Sequence, residues 1–518
     1  MNQNMYFSIP TFFNKLATVA PKKLFWCIVL ASMFLAGWMQ YIQHGWINPD
    51  TVLYFEQARL ITLGDWRGAI KVFNWPLYGA CIATVHKISG LGIHQSAQVL
   101  NVMFFGMATA SFLTIIQLAG GGTRVMLAGT LLLFGGQYLV GDVLEMLMRD
   151  EGFWAFYLAS LVFFIRYMQH NRLSDALLWQ ACIIIATLFR IEAICYLIGL
   201  PLSLLFMHEI SWKSRLKRTL NAYSIAIVGF FAIFAAIFLS ENLSISNFGR
   251  LQEVFTLNLY QEFTQKLFTQ AQLMSSQVLG KYLEEYAVTG LLLIFVYAII
   301  AKTISATGLF AAIFAGFTLK NRGKNIEPKA YLILKAAAII ALVSMALIIV
   351  KVFVLSGRYV AGLSWILLIL GAFYFASLHI TKDKKIALIT SMIVVALCLG
   401  LVINILPKHQ GYNYMQDAVT WIKAHNTLNK PVFYEESRMR YYAGVPFIGA
   451  FGKTEGLLNT LISDKTIQQY DYLIINDSAS SPERAAYLAK MLPQYREIKR
   501  FSAYKNKKSI LIFKRTNE

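Results

Sequence analysis

Charge is scarce in this chain. Of its 518 residues only 14% are Asp, Glu, Lys or Arg, while 57% are apolar and the mean hydropathy is +0.53. A soluble chain of this length needs no such apolar excess, so the composition excludes an ordinary soluble enzyme and reads as a multi-pass membrane protein. Cysteine is sparse too. Cys27, Cys81, Cys182, Cys195 and Cys398 are the whole set, and none lies in the polar C-terminal part, so no disulfide framework is implied. No His pair or Cys cluster stands at metal-ligand spacing, and His44, His86 and His94 read as interfacial residues. The stretch "LAGGGTR" lacks the lysine and following Ser/Thr of a phosphate loop. There is no internal repeat and no low-complexity tract. No small-residue cleavage site follows a short apolar segment at the N-terminus, so the first apolar run is expected to remain as a signal-anchor helix. Acidic residues are the scarcer sign, 27 against 47 basic, for a net charge of +20. In a membrane chain that excess gathers in cytoplasmic loops and against anionic lipid; no nucleic-acid partner is expected.

What is abundant is long apolar runs. A span needs roughly 20 apolar residues. Spans are expected at 24–43, 96–119, 125–141, 152–168, 174–190, 192–207, 221–240, 287–318, 330–354, 360–378 and 386–406, eleven in all. The run 287–318 is too long for one straight helix; it is tilted, broken at Thr303–Gly308, or partly interfacial. Lys22 and Lys23, the basic loop Lys213–Arg218, the cluster Lys320–Lys329 and the run Lys382–Lys385 all fall on one side if the spans alternate, and that side is cytoplasmic. The loop 44–95, the segment 142–151 and everything from Pro407 then face outward. Residues 1–406 are read as the membrane domain, with 44–95 as its first outward loop, and 407–518 as a small C-terminal α/β domain on the periplasmic side of a bacterial inner membrane. In that domain "NYMQDAVTWIKAHN" and "SPERAAYLAKMLPQY" read as helical segments, and "KPVFYEE", "YDYLIIND" and "KSILIFKR" as strands.

Ionisable residues near a bilayer cost free energy and invite a functional reading. Those facing outward include Asp50, Glu56, Arg59, Asp142, Glu145, Arg149, Asp150, Glu151, Arg190, Glu192 and Arg358. Asp50 follows "INP" and is expected to N-cap an amphipathic surface helix, "TVLYFEQARLITL"; cap and catalytic base are equally open readings. "VGDVLEMLMRDEGFW" is a second acidic outward loop, whose bland reading is a charged rim. Arg190 and Glu192 end the fifth span, where the bland reading is a local ion pair. Arg358 and Tyr359 stand at the outer end of the ninth. An arginine fork suits a phosphate, so Arg149, Arg190 and Arg358 on one side form a candidate anion site.

Four stretches resemble the GT-C class of integral-membrane glycosyltransferases, in particular the bacterial aminoarabinose and protein-mannosyl transferases. They are "NPDTVLYFEQARLI", "NWPLYGACIATVHKISG", "RDEGFWAFYLASLVFFIRYMQ" and "LFRIEAICYLIGLPLSLLF", within about the first 210 residues. The resemblance implies a polytopic helical fold with a periplasmic α/β domain and a polyprenyl-phosphate-linked sugar as donor. The acceptor would be a periplasmic lipid, glycan or protein. It places the catalytic carboxylate at Asp50, a further acidic residue at Asp142 or Asp150, and the donor phosphate on Arg358 and Arg190, with Arg149 and Tyr359 beside them. Tyr54, Glu56 and Glu192 would support the site. Asp50 is followed by Thr51 where the protein-mannosyl relatives carry Asp-Glu, which argues against protein O-mannosylation. No resident cofactor is expected, although a divalent cation could use two carboxylates and phosphate oxygens. The loop 241–286 is either a lid or a passive surface helix. The rival reading is a transporter or flippase of lipid-linked sugars, which should show paired inverted halves and broken helices in corresponding positions; neither is found.

Overall fold

The computed structural model describes residues 19–207, 209–239, 259–280, 282–378, 384–407, 413–447, 454–478, 482–503 and 506–516. Residues 241–258 of the loop read as either a lid or a passive surface helix, and Lys382, lie outside them.

Within a bilayer every backbone N–H and C=O must be satisfied inside its own segment, so the apolar runs fold as helices. In chain order these are α1 (Pro21–Tyr41), α2 (Pro49–Thr62), α3 (Leu77–Ser89), α4 (Ile93–Leu118), α5 (Thr123–Phe134), α6 (Asp150–His170) and α7 (Leu173–Phe189). There follow α8 (Ala287–Thr307), α9 (Leu309–Lys320), α10 (Pro328–Val352), α11 (Gly357–Leu378) and α12 (Lys384–Ile405). Among the described residues α1, α4, α10, α11, α12 and the segment Glu284–Thr307 are long and apolar enough to cross a membrane. A seventh crossing results if α5 and the π-helical turn Gln137–Val143, bent by 51° to each other, form one span. The other expected spans are helical but shorter or more polar. The α6 helix carries Asp150, Glu151 and Arg166, and 192–207 falls into short turns before and after Pro201. The over-long run 287–318 is broken at Gly308, whose φ of 88° ends α8 and starts α9.

The chain divides into two compact units. The membrane unit comprises Met1–Trp38, Asn101–Glu145 and Arg149–Ile405. Its core is aromatic: Trp154 of α6 and Phe112 of α4 meet Trp365 of α11 edge-on, with ring centroids 5.8 and 5.6 Å away.

The second unit comprises Met39–Leu100, Met146–Met148 and Leu406–Glu518. It adds helices α13 (Tyr414–His425) and α14 (Ser437–Ala443) and a four-stranded sheet in the order β1-β2-β4-β3. The strands are β1 (Val432–Tyr434), β2 (Tyr472–Ser478), β3 (Tyr495–Ser502) and β4 (Lys508–Arg515). β1 and β2 run parallel, and the other pairs antiparallel. Alternation along β2 and β4 separates two cores, because successive side chains point to opposite faces. Ile474, Ile510 and Ile512 pack with α13, while Leu473, Ile475, Leu511 and Phe513 pack with Leu458 and Leu488 of two further helices. β3 was not expected. Its "YREIKRFS" is a charged edge strand, exposed at nearly every position, so it shows no apolar alternation to read.

Candidate functional site

Two groups of chemically equipped side chains stand out, one in each unit. In the membrane unit, α6 begins with Asp150, Glu151 and Gly152 just where α7 ends in Phe189 and Arg190. A Cβ on Gly152 would meet the Phe189 ring at 2.5 Å, so only glycine lets the two helix ends come this close. The approach places Arg190 Nη1 on Asp150 Oδ1. Arg190 also donates to Glu192 at 3.2 and 3.3 Å and lies 5.0 Å over the Tyr359 ring. From the start of α11, Arg358 donates to the same Asp150 carboxylate, Nη2 at 2.9 Å and Nε at 3.3 Å. Arg149 is buried and acts electrostatically on both Asp150 and Glu192.

Asp150 is 1% exposed and serves two guanidiniums, an anion stabilised on both oxygens. Such a carboxylate is poorly suited to accept a proton and well suited to fix cations in space. Arg358 differs from Arg190: its side chain is 24% exposed against 4%. It can therefore keep its hold on Asp150 and still meet a ligand.

Two residues of this cluster were given no role from sequence, although Glu151 was among the outward acidic residues. Glu151 is fully buried beside Asn101. Tyr138, on the π-helical turn, lies within electrostatic reach of Asp150, Arg190, Arg358 and Asp142, its ring against Gly357, where a Cβ would meet it at 2.6 Å. The only sequence signal for Tyr138 is its place two residues after the helix-breaking Gly135-Gly136. Asp142 sits half-buried on the same turn.

Asp50, Tyr54 and Glu56 belong to the second unit. The N-cap of α2 is Asn48, not Asp50: its extended backbone (φ −74°, ψ 149°) precedes Pro49, and its side chain accepts from the Asp50 N–H at 2.9 Å. Proline restricts the residue before it to extended geometry, which is also N-cap geometry, so the cap falls one position before the proline. Asp50 is left in the first turn of the helix, half-buried. Nor is α2 a one-sided surface helix. Thr51, Val52, Leu53, Tyr54, Phe55, Gln57, Ala58 and Ile61 are all buried. Thr51 Oγ1 donates to Leu147 O at 3.0 Å, and Gln57 Nε2 donates to Ala69 O and Phe73 O at 3.1 and 2.6 Å. Tyr54 packs edge-on against Tyr78 of α3, centroids 5.0 Å apart. Glu56 pairs with Arg59 at 2.7 and 2.9 Å on the side of α2 that lines a cavity of about 290 Å³. Across that cavity burial pushes the Tyr441 phenol up to about 12 and pulls the Arg440 guanidinium below its usual value. No group of three or more His, Cys, Asp or Glu arranged to hold a metal ion is found among the described residues.

No family model matches the chain, and no curated protein matches it. Among solved structures it is similar to ArnT from Cupriavidus metallidurans in the apo state, with 14% identity, a TM-score of 0.40, and coverage of 94% of this chain and 97% of that one. It is also similar to the arabinofuranosyltransferase AftD from mycobacteria, with 12% identity and a TM-score of 0.48, covering 97% of this chain and 40% of AftD. Likeness at this level carries no residue-by-residue correspondence.

Proposed function

We propose that the chain is a membrane glycosyltransferase that moves a sugar from a polyprenyl-phosphate donor to an acceptor at the outer face of a bacterial inner membrane. The observation that carries this reading is Arg358, a partly exposed guanidinium at the end of a membrane-crossing helix, held in position by a buried carboxylate. A cation fixed in advance, at the boundary where a lipid phosphate lies, needs no reorganisation when negative charge develops on that phosphate. The apolar cleft of about 450 Å³ between α1 and α12, lined by Phe34, Trp38 and Leu401, offers hydrocarbon walls of the kind a polyprenyl tail requires.

In the reaction an acceptor hydroxyl attacks the anomeric carbon and Asp50 takes its proton. The bond from that carbon to the phosphate oxygen breaks, and the polyprenyl phosphate leaves with the electron pair. The anomeric centre inverts. A positioned base contributes roughly two to four powers of ten in rate. Arg358 receives the charge on the departing phosphate, Arg190 and Tyr359 flank it, and Asp150 with Glu192 aligns the guanidiniums; Arg149 adds positive potential. Asp142 is the remaining acidic candidate. Tyr54 and the Glu56–Arg59 pair share α2 with Asp50 and support it there. The second unit then works in the periplasm.

Mass spectrometry of envelope glycolipids and glycans from cells with and without the chain tests this directly. A sugar missing from one envelope component identifies donor and acceptor together, and Asp50→Asn should reproduce the loss in a chain that still folds. Unchanged envelopes, or an Asp50→Asn chain that restores the sugar, would refute the proposal; a carrier of lipid-linked sugars would keep its transport in that variant.

A further inference from the structure

The cavity of about 290 Å³ lies wholly within the second unit, and the chemistry above draws on only the Glu56–Arg59 pair of its lining. One wall is α2, through Phe55, Glu56 and Arg59, and the other is α14 and the chain after it, through Arg440, Tyr441 and Pro446. Its volume is at the lower end of small-molecule pockets, about 300 Å³, which suits one compact unit and not a stretch of polymer.

The two arginines here are in different states. Arg59 has its counter-ion, with Nε and Nη2 both on the Glu56 carboxylate. Arg440 is only 9% exposed, and its Nε donates to Pro446 O at 2.9 Å; no carboxylate pairs with it among the described residues. Burying a cation without a counter-charge is costly, so the position is explained if an anion arrives from outside. Two aromatic rings stand beside it. Phe55 and Tyr441 have centroids 5.4 Å apart, and Tyr441 Oη is fixed by His94 Nδ1 at 3.0 Å. Ring faces accept the C–H face of a saccharide, the Glu56–Arg59 pair offers both acceptors and donors to its hydroxyls, and a guanidinium takes a carboxylate or phosphate through a forked contact.

We infer that this pocket is the acceptor subsite and that it takes an anionic sugar unit, a uronate or a phosphorylated sugar, of the molecule to be glycosylated. The assignment rests on the glycosyltransferase reading for its purpose, but the binding itself does not depend on turnover.

The test is equilibrium binding of glucuronate, glucose 6-phosphate and glucose to the purified full chain in nanodiscs, without donor. Both charged sugars should bind about tenfold tighter than glucose, the contribution of one charge-assisted hydrogen bond. The tighter of the two identifies carboxylate or phosphate as the natural group. The preference should vanish in Arg440→Gln, persist in Arg440→Lys, and persist in Arg358→Ala, which alters only the cluster in the membrane unit. Equal binding of all three sugars by the wild-type chain would overturn the inference whatever the variants do. So would a preference that survives Arg440→Gln or disappears in Arg358→Ala. If the envelopes of cells lacking the chain prove unchanged while the charged sugars still bind through Arg440, the catalytic reading fails and the pocket stands.

Discussion

Replacing Asp150 by Asn separates two roles that a sequence cannot. The carboxylate accepts from Arg190 Nη1 and from Arg358 at 2.9 and 3.3 Å, and it is 1% exposed. Asn keeps the shape and removes the charge, so two guanidiniums lose their common counter-ion. Removing one partner from a buried ion pair costs about 3–5 kcal/mol. Two features lower the figure here. Arg190 keeps Glu192 at 3.2 Å, and Arg358, a quarter exposed, can turn to water. The expected loss is therefore near the low end, about 3 kcal/mol. The assay is the rate of thermal inactivation in nanodiscs, because large membrane chains rarely unfold reversibly and their stability is best read as a lifetime. A double-mutant cycle with Arg358→Gln isolates the shared part, and a coupling of roughly 0.5–3 kcal/mol is expected for residues in contact. Transfer kinetics should show a raised KM for donor, since the cation that meets the phosphate is no longer held. An Asp150→Asn chain as long-lived as wild type, with donor KM unchanged and kcat collapsed, would mean that Asp150 is the base and that its role as an anchor for arginines is wrong.

Gly152→Ala should shorten the lifetime by the equivalent of about 1–3 kcal/mol, because the added carbon strikes the Phe189 ring and forces α6 and α7 apart; a neutral result would show that the ring can move. Asn48→Ala removes the α2 cap, a loss of about 1 kcal/mol, and should lower kcat more than it raises KM because Asp50 is the next residue but one. In an ultraviolet titration, Tyr441 should ionise near about 12, against about 10 for an exposed tyrosine, and this late step should be missing in Tyr441→Phe. The sign is fixed by that direction. With the folded value raised, the contribution of Tyr441 to stability is whole below about pH 10 and is lost as pH climbs through about 12.

The apolar runs made the helices legible, since a bilayer leaves a long apolar segment no other backbone solution. The break inside 287–318 was legible as excess length, and Gly308 supplies it. The two-faced strands β2 and β4 announced themselves as apolar runs, whereas β3, with Arg496, Glu497, Lys499 and Arg500, did not. The sequence set Asp150, Arg190 and Arg358 on one side of the membrane but could not pair them. Their contacts span 40 and 208 residues; the packing permitted by Gly152 brings Arg190 to Asp150, and Arg358 arrives from the start of α11. The α2 helix looked interfacial because its own residues alternate in polarity; neighbours further along the chain cover the polar Gln57 and Thr51 as well as the apolar positions. Burial, which Arg440 and Glu151 share with Arg149, Asp150 and Arg190, has no local sequence signature.

The sheet of the second unit ends on one side in a strand of three residues and on the other in a strand studded with charge. A molecule confined to a membrane meets copies of itself far more often than one diffusing in three dimensions, and always in similar orientation. Under that confinement an open, apolar strand would recruit its twin and lock the copies side by side. Among the described residues neither border of this sheet offers such a template, so edge-to-edge pairing of strands is not a route by which copies crowded in a membrane would lock together.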